Sequence, residues 1–199
     1  MIVGIDPGVH GALAWFDEGE LFDVVDLPTV MANKTGKKQV VSDSGLAAEL
    51  EKAHDPSKLI IIIERQTAGS GNIQGRPVAP VAIGTQMRSY GIIEGVTAAL
   101  KCERHFVMPA VWKRRMGLTS DKELSRARAL QLWPQHADKF KYKKNEGRAE
   151  AALLALYQWQ AVELPAIVAT DEDNFEESLA TGPFVEDDGY EDEDFDLLG

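Results

Sequence analysis

The chain opens on a short apolar run, "MIVGI", that stops at Asp6-Pro7-Gly8, the mark of a strand entering a tight turn. "HGALAWFDEGELFDVVDLP" continues as two β-like runs around Asp17-Glu18-Gly19, which predicts a hairpin and, with the first run, a three-stranded antiparallel meander. "TVMANKTGKKQV" reads as a polar, Lys-rich connection. Residues 43–54 carry a helical pattern with Ser42 or Asp43 as N-cap. "KLIIIIERQ" is a continuous β-branched run without alternation, as expected of a central strand buried on both faces. "TAGSGNIQGRP" is a Gly-rich loop, and residues 80–101 read as a long helix interrupted by Gly84, Gly91 and Gly95. Glycine inside a helix costs about 1 kcal/mol relative to alanine, so close helix packing is expected in compensation, with Gly91 and Gly95 on one face. "RHFVMP" is a further strand, "AVWKRRMGL" a short helix or turn, residues 121–132 a basic helix, and "KYKKN" a link to a last helix. The order βββ-α-β-α-β-α predicts an α/β fold in which an antiparallel meander joins a parallel part through helical crossovers.

Composition narrows the class. A chain of 199 residues, 44% hydrophobic, suits one well-cored domain over residues 1–163, followed by an acidic tail over residues 164–199. The longest apolar run, Leu59 to Ile63, is far too short to span a bilayer. The first residues already read as a strand holding an acid, so no secretory or transit signal is expected and the cytoplasm is the simplest location. A single cysteine, Cys102, excludes an intramolecular disulfide framework and a cysteine-cluster metal site.

The net charge of −11 conceals a division. No Lys or Arg follows Arg148, while residues 171–199 hold thirteen Asp and Glu. Residues 101–148 hold thirteen Lys and Arg against five acids, a formal +8. A polyanion-binding segment beside a polyanion-like tail is the first hint of function, although a solvated basic helix face would read the same way.

The last helix opens "NEGRAEAALLALYQWQ", with Glu146 and Glu150 four residues apart on one face. Like charges at that spacing repel unless something positive sits against them. Asp6 and Glu64 each close an apolar strand; if those strands are parallel neighbours, both carboxylates emerge at the sheet edge where ligands of α/β proteins bind. Four acids without histidine or cysteine make a hard-oxygen site suited to Mg²⁺ or Mn²⁺. Two such ions about 4 Å apart can activate a water and stabilise a leaving oxygen in phosphodiester hydrolysis. The cations would also relieve the repulsion between the two helix glutamates.

The blocks "IVGIDPGVHGALAWF", "IIIIERQ", "SYGIIEGVTAAL", "MPAVWKRRMGL", "DKELSRARALQLWP" and "GRAEAALLALY" resemble, in this order, the RuvC-like Holliday junction resolvases, especially their bacteriophage branch. The resemblance spans roughly residues 1–160. It implies a ribonuclease H-like fold with a mixed five-stranded sheet flanked by helices, a homodimer, and Mg²⁺-dependent cleavage of branched DNA, foremost four-way junctions, in the cytoplasm of a bacterial host. Asp6 resembles the family's first-strand aspartate, Glu64 its central-strand glutamate, and Glu150 an acid of its last helix. The phage-type pattern reads Asp-Gly-Arg-Ala-Glu-Ala, with Glu146 here in the first place. The cellular enzymes carry their acid one residue later, where this chain has Gly147. Glutamate reaches further than aspartate, so Glu146 is expected to bind metal through water.

For DNA contact the expected set is Arg65 and Arg76 around the Gly-rich loop, Lys113, Arg114 and Arg115, Lys122 at a helix start, and Lys143, Lys144 and Arg148. Trp112 reads as a core anchor, and His10 and His105 receive no role. Two rivals differ in class: a phosphotransferase of the actin or sugar-kinase type, which needs a second phosphate-binding hairpin and a longer chain, and a junction-binding protein without catalysis. Within the nucleases, broader cleavage of forks and flaps is the alternative. The tail has the composition of a disordered, self-repelling segment, with Phe175, Phe184, Tyr190, Phe195, Leu197 and Leu198 among its acids. It is expected either to compete with DNA for the basic segment, to recruit a replication or recombination partner, or to act only as a solubility tail.

Overall fold

The structure, a computed structural model, describes residues 1–163 except residues 9, 33–37, 68–71, 74–75 and 78–79, and the backbone alone at residues 72, 73, 76, 77 and 122. The expected acidic tail, residues 164–199, lies outside the described residues. The predicted meander is present as β1 (Ile2–Ile5), β2 (Ala12–Asp17) and β3 (Glu20–Asp26), each antiparallel to the next. The β2–β3 turn takes two left-handed residues, Glu18 at φ 48° and Gly19 at φ 87°, the backbone that matches strand twist in a two-residue hairpin.

The Lys-rich connection is more ordered than its polarity suggests. Residues Thr29–Met31 (β4) and Gln39–Val41 (β5) pair as a short hairpin. Val40 and Val41 are buried, and that burial organises a stretch whose composition reads as loop. Helix α1 (Asp43–Leu50) is capped by Ser42, whose Oγ accepts from the Gly45 amide at 3.1 Å. It ends four residues before its pattern does, where the amides of Lys52 and Ala53 switch to the i−3 carbonyls of Glu49 and Leu50 at 3.3 and 3.2 Å. Next come β6 (Ile60–Glu64), two-residue strands β7 (Asn72–Ile73) and β8 (Arg76–Pro77) inside the Gly-rich loop, and α2 (Pro80–Ala99). The chain continues through β9 (Glu103–Val107), α3 (Pro109–Arg115), α4 (Lys122–Leu132), α5 (Ala137–Phe140) and α6 (Glu146–Glu163).

The main sheet runs β3-β2-β1-β6-β9, with β6 parallel to both β1 and β9. Alternation along the strands divides the core in two. Ile2, Ala12, Ala14, Phe16 and Ile62 pack with α3 to α6, whereas Val3, Ile5, Leu13, Trp15, Ile61 and Ile63 pack with α1 and α2. The central strand is therefore buried on both faces, as its unbroken apolar run requires.

Helix α6 lies directly on the sheet. A Cβ on Gly4 would stand 2.1 Å from the Ala151 carbonyl oxygen and 2.6 Å from the Ala155 amide nitrogen, so only glycine permits this approach. The glycines of α2 behave in the opposite way. Among the described residues, a Cβ at Gly84, Gly91 or Gly95 would meet nothing within 4 Å, which corrects the expectation of close packing within the chain. The inward positions are Ser89, Ile93 and Thr97; Thr97 satisfies its hydroxyl on the Ile93 carbonyl at 2.8 Å, and Ser89 Oγ accepts from the Val41 amide at 3.3 Å.

Candidate active site

The first two acids are placed by strand register. Ile5 pairs with Ile63 across parallel strands, so Asp6 and Glu64 follow side by side at the C-terminal edge, on the α6 face shared by Gly4 and Ile62. The Asp6 amide donates to the Ala12 carbonyl at 3.1 Å, and the turn closes by the Gly11 amide on the Gly8 carbonyl at 2.8 Å. Gly11 is obligatory there, since a Cβ would stand 2.0 Å from the Asp6 carbonyl oxygen.

The start of α6 supplies the other two. Gly147 is buried against the first turn: a Cβ on it would stand 2.4 Å from the His10 carbonyl oxygen and 2.8 Å from Asp6 Oδ2. Position 147 therefore has no room for an acid, and the glutamates of this helix flank the contact as Glu146 and Glu150. A helix N-terminus also favours the carboxylate of Glu146 in its first turn. All four acids line one cleft of about 1270 Å³, together with Lys38, Lys113, Lys143 and Lys144.

Glu64 is nearly inaccessible at 7% exposure. Trp112 Nε1 donates to its Oε2 at 2.8 Å, and Gln66 Nε2 donates to its Oε1 at 3.3 Å. Burial pushes the Glu64 carboxyl above its ordinary range; the Trp112 hydrogen bond opposes that shift and the charge of Glu150 adds to it. Glu150 is buried too, and its Oε1 accepts from Lys113 Nζ at 2.7 Å and from Ser125 Oγ at 3.5 Å. The positive charge asked for by the Glu146–Glu150 spacing is thus met on the Glu150 side by Lys113.

Among the described residues, no three acids, histidines or cysteines stand close enough together to form a ready-made cation site. The donor set nonetheless has the chemistry of a hard divalent ion, since carboxylate oxygens from three separate elements border the same cleft. The ammonium of Lys113 competes with such an ion for Glu150. The arrangement can hold hard cations on its floor and anionic oxygens on its lysines.

The basic residues divide. Lys113, Lys143 and Lys144 border the cleft. Arg65 is exposed just beyond β6, its guanidinium 5.7 Å from the centre of the Phe106 ring. Arg114 is exposed and Arg115 half-buried on α3. The side chains of Arg76 and Lys122 lie outside the described residues. Arg148 makes a two-point ion pair with Asp26 at the end of β3, at 2.6 and 2.7 Å. That pair holds the Asp26 carboxyl below its usual range. Lys139 on Asp23 and Arg126 on Glu123 are likewise spent within the fold, so the +8 segment is not one uniform basic face.

Sequence reasoning missed several members of this site. Trp112 is the expected core anchor, fully buried, but its indole N–H also holds Glu64. Lys38 was legible only as part of a Lys-rich connection, and nothing local marks Gln66, Gln86 or Ser125. His10 borders the cleft because it sits in the Asp6–Gly11 turn.

The sheet order and the edge at which the acids gather define a ribonuclease H-like fold. No family model matches the chain, and no curated protein matches it. Among solved structures it is similar to Thermus thermophilus RuvC in complex with Holliday junction substrate, at a TM-score of 0.55 and 12% identity, covering 82% of this chain and 95% of that one. It is also similar to a second Thermus thermophilus RuvC structure, at a TM-score of 0.50 and 15% identity, covering 82% of this chain and 96% of that one. At these identities the likeness is one of fold.

Proposed function

We propose that the protein is a metal-dependent endonuclease that cuts phosphodiester bonds in branched DNA, resolving four-way junctions by paired cuts, and that it is of the bacteriophage RuvC-like type. The observation that carries this reading is the convergence of Asp6, Glu64, Glu146 and Glu150 on a cleft whose rim bears Lys38, Lys143 and Lys144. The lack of room at position 147 favours the phage-type spacing of the helix acids. A solved neighbour that holds a Holliday junction supports branched DNA as the substrate class.

Asp6, Glu64 and Glu150 would hold Mg²⁺, or Mn²⁺ in its place, with Glu146 reaching through water. Two bound ions would supply a nucleophilic water and charge neutralisation at the leaving oxygen. The chain's own residues do the rest. Trp112 keeps Glu64 oriented in a site that disfavours its charge, Lys113 balances Glu150 until a cation arrives, and Lys143 and Lys144 draw the phosphate backbone over the acids.

Paired cuts require two sites related by a twofold axis, hence a homodimer. The open glycine face of α2, with Val81 60% exposed at its start, supports that helix as the interface. The nuclease unit is assigned to residues 1–163 and the acidic remainder to competition with DNA for the basic segment, which deletion of residues 171–199 tests by tighter duplex binding at low salt. Among the described residues no helix is long and apolar enough to cross a membrane; action in the bacterial cytoplasm is part of the nuclease reading. The decisive assay incubates purified protein with four-way, flap and duplex DNA, with and without Mg²⁺. Cleavage of the four-way junction alone supports resolution, cleavage of flaps and forks at equal rates supports the broader nuclease, and binding without Mg²⁺-dependent products leaves a junction-binding protein.

A further inference from the structure

Both oxygens of the Glu64 carboxylate are held, and by different faces of the sheet. Oε2 takes the indole N–H of Trp112, a residue sealed in the core on the α6 side. Oε1 takes the side-chain amide of Gln66, which begins the Gly-rich loop. Gln66 is in turn gripped by α2: its Oε1 accepts from Gln86 Nε2, and its backbone hydrogen-bonds the Tyr90 side chain. The direction of this chain is dictated by chemistry. An ionised carboxylate only accepts, so Gln66 must offer its NH₂ to Glu64, which leaves its carbonyl oxygen for the NH₂ of Gln86. The donor sequence therefore runs Gln86 to Gln66 to Glu64.

We propose that Gln66 is a positioning residue, fixed by Gln86 of α2, that sets the orientation of the Glu64 carboxylate and so couples helix α2 to the metal-binding edge of the sheet. The inference rests on the reading of Glu64 as a metal ligand. Without the bridge, one carboxylate oxygen keeps its Trp112 donor and the other is free to rotate. Partners of this outer kind cost about 10-fold to 100-fold in metal affinity when removed. The coupling matters because α2 buries only Ser89, Ile93 and Thr97 and leaves Gly84, Gly91 and Gly95 facing open space among the described residues, so an event on that face has a hydrogen-bonded path to Glu64.

The test uses the full chain with no DNA. Trp112 carries its own reporter, the indole ¹H–¹⁵N resonance, which senses the hydrogen bond to Glu64 Oε2. Gln66→Ala and Gln86→Glu are the informative changes; the second keeps side-chain size but removes the donor. Both should shift the Trp112 resonance in the metal-free protein while leaving the other three indole signals in place. The double variant should add little, because both substitutions break one bridge. Mn²⁺ affinity measured by calorimetry should fall about tenfold in Gln66→Ala. A Trp112 resonance unmoved by Gln86→Glu, or effects that add in the double variant, would overturn the coupling. The indole shifts do not depend on cleavage, so a protein that cuts no DNA but shows them loses the nuclease reading and keeps the bridge; indole shifts with unchanged Mn²⁺ affinity overturn the role in metal binding.

Discussion

Helices α6 and α2 cover opposite faces of the same sheet in contrasting ways. Helix α6 buries Ala149 and everything from Ala151 to Ala155 completely, and it touches the sheet so closely that Gly4 and Gly147 admit no side chain. Helix α2 is longer, yet its buried residues are Ser89, Ile93 and Thr97, and its three glycines face open space. The first is a pillar that sets two carboxylates by backbone contact. The second borders the cleft with Ala82, Thr85 and Gln86 and reaches Glu64 through the Gln86–Gln66 amide pair, with a face left for another molecule. Rigid backbone contact fixes where the acids are, and the looser helix is where regulation or assembly can act on them.

The largest effect should come from breaking the α6 contact. Gly147→Asp places a side chain against the His10 carbonyl and Asp6 Oδ2, both within 3 Å of its Cβ. Overpacking of this kind costs about 1–3 kcal/mol. A lowered Tm together with loss of all cleavage is expected, and a variant with wild-type Tm and activity would refute the close contact. Next come the helix acids. Glu150→Gln removes a buried carboxylate and strands Lys113, so it should reduce cleavage by orders of magnitude, whereas Glu146→Asp, which keeps the carboxylate, should keep activity within a few fold.

Smaller effects sharpen the α2 side. A Cβ at Gly91 would meet nothing within 4 Å among the described residues, and Gly91→Leu gains helix propensity of roughly 1 kcal/mol, so the folded chain should be no less stable. If α2 is the dimer interface, sedimentation should nevertheless show a shift to monomer. The smallest effect is electrostatic. Glu64 binds a proton more readily folded than unfolded, because burial raises its carboxyl. The cost of its charge is therefore present above its folded-state value and vanishes on acidification. In metal-free protein Glu64→Gln should raise Tm at pH 7–8, by a gain on the order of 1 kcal/mol, with the difference closing as pH falls through the acidic range. A Tm difference independent of pH would contradict the assignment.

What the sequence disclosed follows the same division. Asp6 and Glu64 were legible because a residue ending a strand inherits its place from the strand, and the apolar runs before them identify both strands. Glu146 and Glu150 were legible through their helical spacing. Lys113, Lys143 and Lys144 do border the cleft, but the ion pairs of the basic residues were not legible, because a long cationic side chain goes to whichever acid the fold brings near: Arg148 found Asp26, 122 residues away in the chain, and Lys113 found Glu150. The β4–β5 hairpin was hidden by its polar composition and exists because Val40 and Val41 are buried by elements far along the chain. The glycines of α2 misled, since helix spacing tells which residues share a face and not whether anything covers it.

The central claim is that carboxylates hold the catalytic metal while lysines hold the DNA, and Asp6→Asn separates these most directly. A four-way junction is incubated with wild-type and variant protein in Mg²⁺, and binding and strand scission are measured on the same samples. The account predicts paired cuts by the wild type, and junction affinity within a few fold but no product for the variant, because metal coordination needs the full carboxylate charge and affinity comes from phosphate contacts. Mg²⁺-dependent cutting by Asp6→Asn at a rate near that of the wild type would contradict it.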